Sequence, residues 1–251
     1  MDNVKYSIPK KIHYCWFGGY EKPTIVSKCL ESWKDKLDGY ELIEWNERNF
    51  DIEFNQYVKE AYRKKKYAFV SDYVRLYALN TIGGIYLDTD VEVLKPFDDL
   101  LNHQSFWGFE QENFIATSTF GAKKSHPIIQ QLLDSYEERP FVLENGKFDS
   151  LTNVAMITRT FQCIGVKLNG AFQEPTSEIT IYPQTYFSPY DYINCRYFTN
   201  DETYTIHHFH KSWLKPSERM KSTLKKSLSK VIGGDNLHRM RTFVTESRNR
   251  S

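Results

Sequence analysis

Two aspartates separated by a single residue, Asp88 and Asp90, directly follow the short apolar segment Ile85-Tyr86-Leu87. Because residues i and i+2 of an extended chain point to the same side, both carboxylates can face one point just beyond a strand. Oxygen ligands of this kind suit Mg²⁺ or Mn²⁺, which complete their coordination with water and substrate phosphate oxygens. Two solvated turn residues would give the same short pattern, so the surrounding elements must decide between the alternatives.

A second charged pair, Asp72 and Arg75, stands shortly before these aspartates. Their i, i+3 spacing places them on one face of a predicted helix, where they could form a surface ion pair worth a few tenths of a kcal/mol. Alternatively, both side chains point into a ligand crevice, where Asp72 accepts hydrogen bonds from sugar hydroxyls. Arg75 would then donate to the sugar or to its phosphate.

The elements that must position these residues follow an α/β pattern. Residues 12–17 and 40–45 are predicted strands, and residues 23–33 between them have helical spacing. This β-α-β order favours a parallel sheet with a crevice beyond the carboxyl ends of its strands. Helical spacing returns over residues 57–80 and ends at Gly83-Gly84. The later strands are predicted at 105–109, 115–121, 179–182 and 204–208, and the later helices at 127–138 and 151–163.

The composition limits the classes of protein that this chain can represent. At 251 residues and 40% hydrophobic content it can bury the core of one domain. A formal charge of +1 offers no overall field for nucleic acid, so we expect no nucleic-acid partner. No signal peptide or membrane-spanning run is predicted, which favours a cytoplasmic protein. The four cysteines are too widely spaced to predict a zinc site or a disulfide framework.

The last part of the chain has a different composition. Residues 211–251 contain eleven Lys or Arg and three Asp or Glu, with apolar residues at roughly helical intervals. We therefore predict a domain over residues 1–213 and a basic amphipathic helical tail over residues 214–251. The tail is either a solvated terminus or a peripheral contact with the anionic inner face of a membrane.

Two segments together resemble a known family. The segments Val70-Ser71-Asp72-Tyr73-Val74-Arg75 and Gly83-Gly84-Ile85-Tyr86-Leu87-Asp88-Thr89-Asp90-Val91 are similar to the signature of the DXD-containing sugar transferases. That family includes capsular polysaccharide enzymes, the yeast Och-type mannosyltransferases and, more distantly, the large clostridial glucosylating toxins. The resemblance implies a GT-A-type, Rossmann-like mixed sheet flanked by helices.

The amino-terminal segment Ile8 to Gly19 is similar to the opening strand of the same family, whose aromatic residue stacks on the nucleotide base. Trp16 is the matching position, although a tryptophan on a strand could equally anchor the core. His13, three residues earlier, is interpreted as structural. Asn46, after the second strand, either touches the base or ribose or forms a turn.

A third landmark is the segment His207-His208-Phe209-His210-Lys211-Ser212-Trp213, since the family usually has a histidine followed shortly by Ser-Trp. The resemblance implies that this strand end closes over the metal and diphosphate. His208 or His210 would supply either a metal ligand or a hydrogen-bond donor to phosphate, Ser212 a hydroxyl, and Trp213 an indole N–H toward the leaving oxygen. Three histidines within four residues leave the register open, and a polar strand edge is the alternative.

Taken together with this resemblance, these features predict a glycosyltransferase that uses Mn²⁺ or Mg²⁺ and a nucleotide-sugar donor. The resemblance further implies that the enzyme is retaining, and it favours a UDP-sugar over a GDP-sugar. The acceptor would be a glycan or lipid-linked acceptor of surface polysaccharide synthesis. The predicted roles are catalytic for Asp72, Arg75, Asp90 and Trp213, donor-binding for Trp16, Asn46, Tyr86, Asp88 and Ser212, and metal-binding for Asp88, Asp90, His208 and His210. No carboxylate is assigned as nucleophile or base.

Two other classes of protein remain as alternatives. A binding module could hold a glycan or a nucleotide sugar without turning it over. A phosphatase of the haloacid dehalogenase type also places two aspartates after an apolar strand. That class has Thr or Val two positions beyond the second aspartate, where this chain has Glu92, so it is the less favoured of the two.

Overall fold

The computed structural model describes residues 7–110, 114–149, 151–191 and 196–210. Within these ranges the chain alternates between strands and helices, as the sequence predicted. The helices are α1 (Thr24–Lys36), α2 (Gln56–Arg63), α3 (Tyr67–Thr81), α4 (Pro127–Asp134), α5 (Asn153–Cys163) and α6 (Gln184–Phe187). None of these helices combines the length and apolar character needed to cross a bilayer. The predicted tail over residues 214–251 lies outside the described residues.

The strands are short, and most of them belong to one sheet. They are β1 (Lys11–Cys15), β2 (Glu41–Trp45), β3 (Gly84–Leu87), β4 (Val91–Val93), β5 (Ser105–Glu110), β6 (Phe114–Ile115), β7 (Thr119–Ala122), β8 (Gln173–Thr176), β9 (Ile179–Tyr182), β10 (Tyr190–Asp191), β11 (Arg196–Tyr197) and β12 (Thr205–His207). The main sheet has the order β2-β1-β3-β7-β5-β9-β8, and β6 pairs with β5. Two small ribbons, β10-β11 and β12-β4, lie off this sheet.

The sheet is mixed. The first three strands in spatial order, β2, β1 and β3, are parallel, which confirms the predicted β-α-β start. Strand β7 runs antiparallel to both of its neighbours, β3 and β5. Strands β3 and β5 therefore run in the same direction, and their carboxyl ends lie at the same edge of the sheet. The predicted α/β fold, a mixed sheet flanked by helices, is confirmed.

Helix starts and apolar faces follow from local sequence. Asn55 and Thr152 cap α2 and α5 with side-chain oxygens that each accept a hydrogen bond from the backbone N–H of the third residue of the helix. Helix α3 buries Val70, Val74 and Leu79 against the sheet core. Asp72 and Arg75 lie in the first ten residues of this helix, and Arg75 contacts Asp88 just beyond the end of β3.

A glycine pair joins α3 to β3. Gly83 and Gly84 have φ angles of +77° and +127°, which favour glycine. A Cβ atom on Gly84 would stand 2.6 Å from the backbone oxygen of Lys11 on the neighbouring strand β1. Two successive glycines therefore let the chain turn sharply and let β3 lie directly against β1.

The segment 115–121 was predicted as one strand, but the structure divides it into β6 and β7. Residues between them leave the ladder and turn their carbonyl groups toward the strand-end crevice. The Thr117 oxygen accepts a hydrogen bond from Arg75 Nη1 at 2.7 Å, and the Ser118 oxygen accepts one from the Asp88 N–H at 2.8 Å. Because the strand is interrupted here, these two carbonyl oxygens accept hydrogen bonds from site residues instead of from a neighbouring strand.

Candidate functional site

The polar side chains of interest gather at the edge where β3 and β5 end. Asp88 directly follows β3, Asp90 precedes β4, and Glu110 is the last residue of β5. The ribbon formed by β4 and β12 pairs His207 with Val91, so it brings the carboxyl end of β12 to the same place. Three separate segments of the chain therefore contribute to one crevice.

Asp88, Asp90 and His207 form a cluster that could hold a metal ion. One potential ligand atom from each lies within 4.8 Å of the others, and all three side chains are partly exposed. The Nε2 atom of His207 is 3.4 Å from Asp90 Oδ1. Two carboxylates and one imidazole are a donor set that suits a divalent cation. The chemistry of the residues present therefore fits the predicted metal.

The histidine in this cluster is His207, whereas the sequence favoured His208 or His210. The Nε2 atom of His208 lies 2.9 Å from Glu92 Oε2. The backbone N–H of His210 donates to Asp90 Oδ2 at 2.7 Å, so this residue contacts the predicted ligand through its main chain. The sequence left the register open, and strand pairing places the first of the three histidines beside the carboxylates.

Asp90 is held by hydrogen bonds from the segment that follows β12. Its backbone oxygen accepts a hydrogen bond from the His208 N–H at 3.0 Å, in addition to the bond from His210 to its carboxylate. Burial opposes ionisation of this carboxyl group, but His207 and the His210 N–H outweigh burial and hold the Asp90 pKa below its ordinary value. Asp90 therefore presents a charged carboxylate.

Arg75 joins two acidic residues of the crevice. Its Nη2 atom lies 3.0 Å from Asp72 Oδ1 and 3.3 Å from Asp88 Oδ1, and the arginine side chain is only 6% exposed. Its remaining nitrogens donate to the backbone oxygens of Ser71 and Thr117. Burial opposes the charge, yet Asp88, Tyr86 and Asp72 raise the pKa of Arg75 above its ordinary value. The guanidinium group thus holds both carboxylates in place.

Tyr86 completes the support of Asp88. The tyrosine is buried, its hydroxyl donates to Asp88 Oδ1 at 3.1 Å, and the Arg75 guanidinium lies 4.6 Å from its ring centre. Both neighbours contact the same oxygen, Oδ1. Neither of these two contacts uses the other carboxylate oxygen, Oδ2.

Glu110 is a site residue that sequence reasoning missed. Its Oε2 atom lies 3.9 Å from His207 Nδ1, and its side chain is 18% exposed. Burial raises the Glu110 pKa, a shift that His207 opposes and that Asp88 and Asp90 reinforce. The one available signal was an acidic residue at the end of the apolar segment 105–109. Only the order of strands in the sheet shows that this end adjoins Asp88 and Asp90.

The crevice carries more acidic than basic groups. Four carboxyl groups, those of Asp72, Asp88, Asp90 and Glu110, face Arg75 and His207. Burial raises the Asp72 pKa to about 6, although Arg75 opposes this shift. Burial would lower the His207 pKa, but Asp90 and Glu110 raise it to about 9. The excess of carboxyl groups over basic groups in the crevice favours a bound cation.

Trp16 and Asn46 follow β1 and β2, at the same edge of the sheet. Trp16 is half-buried and its indole N–H donates to the Tyr20 oxygen at 2.7 Å, so its ring is not enclosed in the core. Asn46 Oδ1 accepts a hydrogen bond from the Arg48 N–H and Nδ2 donates to Glu44, which are turn-forming contacts. Ser212 and Trp213, the remaining predicted site residues, lie outside the described residues.

His13 lies on β1 behind the site and is fully buried. The indole N–H of Trp45 donates to its Nδ1 atom at 3.1 Å, so Nε2 carries the ring proton and donates to the Gly83 oxygen at 2.9 Å. Burial lowers the pKa of His13 to about 4. Both ring nitrogens are used within the protein, as expected for a structural histidine.

The fold and site define an α/β protein with an acidic crevice, which could hold a cation, at the carboxyl edge of a mixed sheet. Residues 2–230 match the family described as capsular polysaccharide synthesis protein, and the chain belongs to that family. The match covers most of the chain, including all the residues that form the crevice. The resemblance predicted from the two signature segments is therefore confirmed.

Several relatives carry names that describe their activity. An uncharacterized glycosyltransferase, L373, of Acanthamoeba polyphaga mimivirus is 28% identical over 219 residues, which are 82% of this chain and 84% of the relative. Inositol phosphoceramide mannosyltransferase 3 of Schizosaccharomyces pombe is 28% identical over 142 residues, 52% of this chain and 38% of the relative. The predicted enzyme class, glycosyltransferase, is confirmed at the level of the family and its named relatives.

Two further similarities, one to a protein sequence and one to a solved structure, cover a smaller share of the matched protein or have low sequence identity. Subversion of eukaryotic traffic protein A of Legionella pneumophila is 28% identical over 176 residues, and the chain spans only 27% of its length. Among solved structures, PaToxG glycosyltransferase has a TM-score of 0.49 at 19% identity, with 62% of this chain and 68% of that chain covered.

Proposed function

We propose that this chain is a divalent-metal-dependent glycosyltransferase that moves a hexose or N-acetylhexosamine from a nucleotide-diphosphate sugar to a glycan. The observation that carries the proposal is the cluster of Asp88, Asp90 and His207, with ligand atoms within 4.8 Å of one another at the strand ends. Membership of the capsular polysaccharide synthesis family supports an acceptor in surface polysaccharide synthesis. A UDP-sugar is the favoured donor.

The proposed cation would be held by Asp88, Asp90 and His207. Carboxylates suit both Mg²⁺ and Mn²⁺, whereas an imidazole ligand is more typical of transition metals, so we favour Mn²⁺. When bound, such a cation neutralises negative charge on the departing diphosphate. The protein supplies the geometry, because the His208 and His210 N–H groups hold Asp90, while Arg75 and Tyr86 hold Asp88.

Asp72 is the proposed contact to the donor sugar. Its side chain is 17% exposed, and Arg75 binds one of its two carboxylate oxygens, Oδ1. The second oxygen would accept hydrogen bonds from sugar hydroxyls. Arg75, at 6% exposure with its donors directed to Ser71, Thr117 and the two aspartates, acts in this proposal chiefly by fixing carboxylates.

Trp16 is the proposed platform for the nucleotide base. It follows β1, the neighbour of β3, and its ring is half-buried rather than enclosed. We further propose retention of anomeric configuration, as the family resemblance implies. We also propose a cytoplasmic location in which the basic segment 214–251 brings the enzyme to anionic lipid carrying a lipid-linked acceptor.

The test of the proposal is a panel of UDP- and GDP-sugars with Mn²⁺ or Mg²⁺, measured by thermal stabilisation and by donor hydrolysis. Asp88→Ala/Asp90→Ala should abolish metal-dependent stabilisation. Asp35→Ala/Asp38→Ala is the matched control, because it removes the same two charges from exposed positions. The control should respond to donor and metal as the unmodified chain does.

The outcomes separate the proposed enzyme from its alternatives. Selective hydrolysis of one nucleotide sugar that needs metal and both aspartates supports the transferase and identifies its donor. Stabilisation by a nucleotide sugar without any turnover, even with acceptor glycans present, would indicate a binding module. Preference for simple phosphate monoesters over nucleotide sugars would indicate a phosphatase.

A further inference from the structure

The imidazole ring of His207 lies between two carboxylates. Its Nε2 atom faces Asp90 Oδ1 at 3.4 Å, and its Nδ1 atom faces Glu110 Oε2 at 3.9 Å. The two nitrogens of an imidazole lie on different sides of the ring. One side of His207 therefore faces the proposed cation site, and the other faces a carboxylate outside the Asp88–Asp90–His207 cluster.

The Nδ1 atom of His207 is buried and has no hydrogen-bond partner among the described residues. A buried polar atom without a partner costs free energy, so its position requires a physical reason. Glu110 Oε2 is an acceptor on the correct side of the ring, but 3.9 Å is too long for a hydrogen bond. A small movement of either side chain would close this gap.

We propose that Glu110 is a positioning residue for the metal site: it accepts a hydrogen bond from His207 Nδ1–H and so directs Nε2 toward the cation. The proposal rests on the proposed function, because it requires a cation at Asp88 and Asp90. Metal-binding histidines generally donate their other N–H to a carboxylate or carbonyl, which fixes the tautomer and the orientation of the ring. Glu110 is suited to this role because its strand β5 ends at the same sheet edge as β3.

The first test is the dissociation constant for Mn²⁺ alone, measured by electron paramagnetic resonance without any donor. Loss of a carboxylate that supports a metal-binding histidine typically weakens metal affinity by about 10–100-fold. We expect that loss in Glu110→Ala and a smaller loss in Glu110→Gln, whose amide oxygen still accepts a hydrogen bond. If Glu110→Ala does not fold, the Mn²⁺ dissociation constant of the nearly isosteric Glu110→Gln provides the test.

Glu92→Gln is the matched control, since Glu92 Oε2 contacts a histidine ring nitrogen, that of His208, at 2.9 Å. It should bind Mn²⁺ as the unmodified chain does. If Glu92→Gln weakens binding and Glu110→Gln does not, the proposal is overturned and His208 becomes the favoured ligand. Lower stability of the Glu110 variants with unchanged Mn²⁺ affinity would also overturn it, because that is the result of a purely structural role.

A double-mutant cycle with His207→Ala isolates the proposed contact. If Glu110 acts through His207, removing Glu110 in a chain that already lacks the imidazole should not weaken Mn²⁺ binding further. An equal loss in both backgrounds contradicts the proposal. Failure of the proposed function is distinct, since then the unmodified chain itself binds no Mn²⁺, or binds it independently of Asp88 and Asp90, and both proposals are overturned.

Discussion

Acidification should destabilise this protein through His13. The residue is fully buried, and its neutral ring accepts a hydrogen bond from Trp45 and donates one to the Gly83 oxygen. Protonation of Nδ1 would place a second donor against the Trp45 N–H, which has no lone pair to accept it. Burial therefore lowers the pKa of His13 from 6.5 to about 4.

The sign and size of the effect follow from this depressed pKa. Between pH 6.5 and pH 4 the unfolded chain binds a proton at His13 that the folded chain does not, so stability falls as the pH falls. Each pH unit across this interval lowers the free energy of unfolding by about 1.4 kcal/mol. Between pH 8 and pH 4.5, the contribution of His13 to the loss of unfolding free energy should be about 2.5 kcal/mol.

The assay is urea unfolding at pH 8 and pH 4.5 for the unmodified chain and for His13→Gln. The glutamine amide keeps a donor and an acceptor but does not titrate in this range. The variant should start less stable, yet its loss on acidification should be smaller by about 2.5 kcal/mol. Other titrating groups, including the buried Asp72 and Glu110 with their raised pKa values, are common to both proteins and cancel.

Equal losses of unfolding free energy in the two proteins would refute this reasoning. Titration of the His13 ring by nuclear magnetic resonance gives an independent result in the folded chain. A pKa near 6.5 would show that the ring is protonated without penalty. The tautomer assigned from the Trp45 contact would then be wrong.

Three further perturbations have defined outcomes. Gly84→Ala should lower the unfolding free energy by about 1–3 kcal/mol or more in urea titrations, because its Cβ would stand 2.6 Å from the Lys11 oxygen at a φ of +127°. Arg75→Lys should cost about 1–3 kcal/mol by the same measurement and weaken Mn²⁺ binding, since one ammonium group keeps the charge but cannot replace all the buried guanidinium hydrogen bonds. Trp16→Ala should weaken UDP binding in calorimetry by about 1–3 kcal/mol, with Trp16→Phe retaining most of the affinity and neither changing stability strongly.

Local sequence determined the elements and the main acidic pair. Apolar spacing and the glycine pair Gly83-Gly84 act over a few residues, so they predicted the helices, the parallel start of the sheet and the placement of Asp88 and Asp90 after a strand. The same local reasoning extended residues 115–121 into one strand, because the sequence does not show that the carbonyls of Thr117 and Ser118 bind Arg75 and the Asp88 N–H.

The rest of the site was decided by tertiary structure. The choice of His207 over His208 depends on strand pairing, since a shift of one residue turns a side chain to the opposite face. Glu110 joins the crevice only because β7 separates two strands that run in the same direction. Arg75 is a bridge between two aspartates rather than a free donor, because the fold buries it between them. These contacts join residues far apart in the chain, and local spacing carries no information about such distances.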